Sequence, residues 1–214
     1  MKKRLIFITL LVLLSIAAGM LLNLWTSRHE ASKLTAQPGI EGLLWPNPRT
    51  LAPFTLIDQL GKAFGLEQMS GKWSFLFFGY THCPDACPIT LTVLKQFYEK
   101  LVAENAAGDV QVIFVTVDPA RDTPQQMADY VRYFNDKFIG LTGTGAQIAA
   151  LTQQMGVVFR KADDREDYAV DHSAAVFLVS PDRQWVAIFS PPHQVEDLLT
   201  RYKSIRTFID ASKK

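Results

Sequence analysis

Trp73-Ser-Phe-Leu-Phe-Phe78 running directly into Gly79-Tyr-Thr-His-Cys-Pro-Asp-Ala-Cys-Pro88 is the stretch that decides how the whole chain is read. Its first half is a short, continuously apolar run, the pattern of a strand covered on both faces. Beyond its second half, Ile89, Val93, Leu94, Phe97 and Leu101 recur at helical spacing, with Gly108 at the expected stop. Val110-Gln-Val-Ile-Phe-Val-Thr-Val117 is a second apolar strand. Strand, helix, strand makes a βαβ unit with a parallel sheet, and open α/β sheets place ligands where such a strand gives way to its helix.

Working outward, Phe54–Ile57 and Ala63–Phe64 flank Asp58–Lys62, whose Gly61 suits a tight hairpin. Thr123-Pro124 opens a helix to about Asn135, with proline where its missing N–H costs nothing. A shorter helix is expected from Gln147 to Met155, strands at Val157–Phe159 and Ala174–Val179, and a turn over Ser180–Gln184. Trp185–Phe189 is a further strand and Val195–Ile209 a last helix. The expected fold is α/β and thioredoxin-like, a central mixed sheet flanked by helices, over residues 50–211.

The N-terminus reads differently. Lys2, Lys3 and Arg4 precede an uncharged run from Leu5 to Leu22. At ~1.5 Å per residue such a helix reaches roughly 27 Å, close to the ~30 Å of a bilayer core. Residues 1–4 are therefore expected in the cytoplasm and 5–25 as a single-pass anchor in the inner membrane. Small residues lie inside the run rather than after it, which argues against a cleaved signal peptide. Residues 26–49, with Pro38, Gly39, Gly42, Pro46 and Pro48, read as a linker to a domain on the periplasmic or external side.

The 22 Lys and Arg nearly balance the 21 Asp and Glu, with no internal basic run, so nothing points to nucleic acid. Two cysteines cannot staple a domain of this size into shape, so their worth lies in being neighbours. Pro84 and Pro88 disfavour helical geometry at the cysteines before them, which places Cys83 to Cys87 in a loop with Pro88 in the first helical turn. The positive end of the helix then favours thiolates, soft donors that select copper(I), zinc or iron–sulfur clusters. An inert disulfide is the bland alternative, although a bridge closing so small a loop stabilises little. Of the histidines, His172 precedes an apolar strand at the sheet's C-terminal edge. His29 is in the linker, His193 is read as solvent-facing, and His82 adjoins Cys83. The residues alone leave open whether His172 binds a metal or a backbone group.

The Gly79–Pro88 segment, Val117-Asp-Pro-Ala-Arg-Asp-Thr-Pro124 and Val170-Asp-His-Ser-Ala174 together resemble, in order, the three motifs of the Sco/SenC family. The resemblance implies a membrane-anchored copper-binding protein that assists assembly of the dinuclear copper site of cytochrome c oxidase. It implies copper ligands at Cys83, Cys87 and His172, a supporting or loop-ordering part for Asp118, and an ambiguous one for Asp85. Implied partners are the copper-site subunit of the oxidase and a thiol reductant or other copper carrier. A thioredoxin-type thiol-disulfide oxidoreductase, with Cys83 attacking and Cys87 resolving, is the competing reading. Against a general version of it, three residues separate the thiols where redox sites of this fold use Cys-x-x-Cys. A peroxidase of this fold would not explain the need for both cysteines and His172. A structural zinc site wants four protein ligands.

Overall fold

A computed structural model of the chain describes residues 15–21, 40, 42–44, 47–162 and 168–212. The chain divides into two units, Met1–Pro38 and Gly39–Lys214. In the first, residues 15–21 are helical (α1). The remainder of the expected anchor and the basic start lie outside the described residues. Among the described residues no helix is long and apolar enough to cross a membrane.

The second unit runs β1 Arg49–Thr50, β2 Thr55–Asp58, β3 Ala63–Gly65, β4 Trp73–Gly79, α2 Ala86–Ala103, β5 Val110–Thr116, α3 Pro124–Phe134, β6 Ile139–Thr142 and α4 Gly145–Gln154. It continues with β7 Phe159–Lys161, β8 Val170–His172, β9 Val176–Val179, β10 Gln184–Phe189 and α5 Val195–Ser212. Eight strands form one mixed sheet in the order β1-β10-β9-β4-β5-β6-β2-β3. β4, β5 and β6 are parallel, and β9 runs antiparallel beside β4. The α/β class and the βαβ centre are thus as expected.

Alternation along the apolar strands sorts the core into two layers. Trp73, Phe75, Phe77, Val112 and Phe114 pack under α2, α3 and α5 through Leu94, Phe97, Val131 and Tyr202. Leu76, Phe78, Ile113 and Val115 face the other way, against Ile148 and Leu151 of α4 and against Val170. A strand whose every residue is buried needs both layers, which is why β4 and β5 carry almost no polar side chains.

Several boundaries differ from expectation. α2 begins at Ala86, so Cys87 lies in its first turn rather than in the loop. Pro88 is tolerated there because the N–H groups of a first turn have no helical partner. The helix ends at Ala103, well before Gly108, because Asn105 takes the left-handed turn at φ 56°. β6, only four residues long, gives too little pattern to be seen in sequence. Within the stretch read as linker, Leu43 bridges Ala187 and Arg49 pairs with Trp185 of β10. His172 itself ends a strand, β8, which pairs with β7 in a separate two-stranded ribbon, His172 opposite Phe159.

Candidate metal centre

Three elements meet beyond the C-terminal end of β4: the Tyr80–Asp85 loop, the first turn of α2, and the end of β8. The sulfurs of Cys83 and Cys87 and a ring nitrogen of His172 lie within 4.8 Å of one another. Cys87 is fully buried and Cys83 partly exposed; neither is in a disulfide. Gly79 makes room for them. A Cβ on this residue would sit 2.5 Å from Cys87 Sγ and 2.8 Å from the Phe114 ring, so only glycine lets α2 seat its thiol on the strand end.

The two thiols are electrostatically unlike. Cys87 donates its proton to Cys83, and the His172 ring and the backbone N–H groups of Asp85 and Cys87 add further donors. Together they outweigh partial burial and hold Cys83 down at about 3. Cys87 is pushed strongly upward, first by donating that bond, then by burial and by the negative charge of its neighbour. Near neutral pH the site is thus one thiolate and one thiol.

His172 Nδ1 lies 3.1 Å from the Ser173 carbonyl, which can only accept, so Nδ1 carries the proton and Nε2 faces Cys87 Sγ at 3.3 Å. Burial opposes charge on the ring, but the bonds to Cys83 and Ser173 and the charges of Cys83 and Asp171 outweigh it and raise the imidazole. The ring is held edge-to-face by Tyr80, centroids 5.8 Å apart, and by Phe77 at 6.4 Å. With ligand bonds of about 2.0 to 2.3 Å, a sulfur and a nitrogen on one trigonal ion stand roughly 3.8 Å apart. For an ion to sit between these two atoms they need to move apart by only about half an ångström. Two thiolates and an imidazole make a donor set for a soft ion.

Of the supporting candidates, Asp118 is buried. It accepts from Tyr168 Oη at 2.6 Å and from Arg121 Nε, tying the loop after β5 to the segment entering β8. Asp85 is exposed, and its carboxylate does not cap α2. His82 is exposed, its Nδ1 3.1 Å from Thr81 Oγ1. His193 is not solvent-facing but half-buried, Nε2 2.8 Å from the Ala174 carbonyl.

One residue the sequence does not single out is Asp122. Its carboxylate is fully buried and accepts from Thr81 N at 3.0 Å, Thr81 Oγ1 at 2.6 Å and Thr116 Oγ1 at 2.5 Å. It therefore ties the cysteine loop to the end of β5. The one signal in sequence is a charge wedged between a strand end and a capped helix start.

Residues 45–207 match the SCO1/SenC family model. Protein SCO1 homolog 1, mitochondrial, of Arabidopsis thaliana is 41% identical over 147 residues, 68% of this chain and 44% of that protein. This chain thus spans less than half the length of that relative. The crystal structure of Arabidopsis thaliana ScoI with copper bound is 38% identical, with a TM-score of 0.67, covering 74% of this chain and 98% of that one. The structure of BsSco, described as having a disulfide switch and as a member of the Sco family of cytochrome c oxidase assembly proteins, is 25% identical. Its TM-score is 0.59, over 77% of this chain and 98% of that one.

Proposed function

The chain belongs to the SCO1/SenC family, and from that premise we propose that it is a copper carrier. It holds copper(I) on Cys83, Cys87 and His172 and delivers it to the dinuclear copper site of cytochrome c oxidase. The observation that carries this is the convergence of two soft sulfurs and one imidazole nitrogen within 4.8 Å at a single strand end. Cys83, the partly exposed sulfur, is where an acceptor thiolate adds first. Cys87 and His172, deeper in the site, let go last. The site is supplied by another copper carrier or readied by a thiol reductant, and the acceptor is the copper-site subunit of the oxidase.

The basic Lys2–Arg4 and the apolar run after it support an anchor in the inner membrane with the copper domain on the periplasmic or external side. Protease accessibility of the domain in spheroplasts tests that placement. The carrier reading is tested by metal analysis and X-ray absorption of the reduced protein, which should show one copper per chain and sulfur to nitrogen scatterers near two to one. Full copper affinity in His172→Ala would overturn the three-ligand site.

A second activity, reduction of disulfides in the acceptor, is supported by the division of labour between an exposed thiolate and a buried thiol. Reduction of a disulfide peptide that persists in His172→Ala but is lost in Cys83→Ala would be its mark, because exchange needs the sulfurs and not a third metal ligand.

A further inference from the structure

His172 is the ligand whose position the main sheet does least to fix. It ends β8, and among the described residues β8 pairs as a strand with β7 alone, in a ribbon separate from the eight-stranded sheet. Its placement therefore depends on side chains that pin the ribbon down, and these converge on Arg121. The Arg121 side chain is 18% exposed, donates from Nε to the buried Asp118 and from Nη2 to the Tyr168 carbonyl at 2.9 Å. Its guanidinium lies 3.6 Å from the centroid of the Tyr168 ring and 5.7 Å from that of Tyr80. Tyr168 completes the ring of contacts by donating to Asp118. Two residues on, Val170 N–H donates to Tyr80 Oη at 3.3 Å, and the Tyr80 ring is the one that packs against the imidazole.

We infer that Arg121 is a positioning residue for the copper site: by gripping Tyr168 it seats β8 on Tyr80, so that His172 faces the Cys87 sulfur before an ion arrives. The guanidinium suits this because its fixed fork meets a carboxylate and a carbonyl at once while its flat face stacks on a tyrosine. A lysine, a single point charge, does not do all three. The inference rests on the copper-carrier reading, yet the part about His172 can be read in the metal-free protein.

The test is a double-mutant cycle on the reduced full chain, with copper(I) affinity measured against a chelator. Arg121→Ala should weaken binding roughly 10- to 100-fold, the usual cost of losing a group that orients a metal ligand. In a His172→Ala background the same substitution should change nothing. Arg121→Lys should resemble Arg121→Ala, and Tyr168→Phe, a milder change that keeps the ring, should lie between it and wild type. In the metal-free protein, nuclear magnetic resonance of Arg121→Ala should show that the imidazole no longer packs on the Tyr80 ring and that the Val170 amide exchanges faster. Equal losses of affinity in both backgrounds would overturn the inference, because Arg121 would then be acting on the cysteines or on the fold. So would an imidazole still packed on Tyr80 in Arg121→Ala. If wild type itself binds no copper, the carrier reading fails, while the resonance experiment still decides whether Arg121 places His172.

Discussion

Gly79→Ala puts the geometry of the site under direct strain. The added methyl would stand 2.5 Å from Cys87 Sγ and 2.8 Å from the Phe114 ring. Relaxed contacts lie at about 3.5 to 4.0 Å, so it is about 1 Å too close to both. Gly79 cannot retreat: it pairs with Thr116 in the β4–β5 ladder, and its carbonyl accepts from Val117 N at 2.7 Å. The thiol and the first turn of α2 must move instead. Overpacking of this kind costs about 1–3 kcal/mol, a fall in Tm of roughly 2–12 °C for a chain of this size. The displaced sulfur also loses its bond to Cys83 and its 3.3 Å approach to His172, so copper(I) affinity should drop at least about tenfold. Thermal unfolding of the reduced protein and a chelator competition read the two effects. Gly108→Ala, where an added Cβ meets nothing within 4 Å, is the control and should leave both unchanged. A Gly79→Ala protein with wild-type Tm and copper affinity would refute the argument that glycine is there for the thiol.

Asp122→Ala strands the Thr81 N–H and the Thr81 and Thr116 hydroxyls, which should cost about 3 kcal/mol in denaturant unfolding and speed hydrogen exchange at the Thr81 amide. Because Cys83 is held at about 3, its alkylation rate should be flat from about pH 5 to 8. In Cys87→Ala, which removes the largest cause of that lowering, the rate should climb toward the ordinary thiol value of about 8.5. Because Cys87 keeps its proton until an ion displaces it, copper(I) binding at about pH 8 should release at least one proton and strengthen at least about tenfold per pH unit. Calorimetry in buffers of different ionisation enthalpy counts the protons, and release of none at that pH would contradict a Cys87 that is protonated before the ion arrives.

How much of this is legible in the sequence varies with how local each cause is. β4, β5 and α2 are written in runs and spacings of their own residues, and so is the position of the cysteine pair at a strand end. The start of α2 escapes such a reading because Pro88 counts as a helix breaker only beyond the first turn, and the sequence does not say which turn it occupies. His172 is singled out by resemblance. Nothing in Val170-Asp-His-Ser173 shows that its imidazole will reach residues 83 and 87, since that depends on the β7–β8 ribbon and on Tyr80. Asp122, Arg121 and Gly79 act through partners up to 47 residues away, so each looks ordinary until the chain is folded.

The asymmetry of the thiols also bears on which role the site suits better. At pH 7 an ordinary thiol of pKa about 8.5 is roughly 3% thiolate, so full ionisation gains Cys83 roughly thirtyfold in reactive form. Intrinsic nucleophilicity falls with pKa by a factor of about 0.4–0.5 in the logarithm, which over about 5.5 costs roughly 300-fold. With solvent around the partly exposed sulfur allowed for, the gain and the loss roughly cancel, so ionisation gives Cys83 no large advantage over an ordinary thiol in attacking a disulfide. The equilibrium does lean one way. Stabilising the thiolate favours the reduced pair over the disulfide by at most about 120 mV at pH 7, and by roughly half that once solvent around the partly exposed sulfur is allowed for. The raised Cys87 takes nothing back, because a thiol is already protonated at that pH. A pair poised in this way is a weak reductant and easily kept reduced, the state that the proposed copper(I) carriage needs. The decisive measurement is the pH dependence of its midpoint potential. With Cys83 ionised throughout, two electrons travel with one proton, and the potential should fall by about 30 mV per pH unit from about pH 5 to 8. A slope near 60 mV would mean that both sulfurs bind protons, and the balance would return to the reductase.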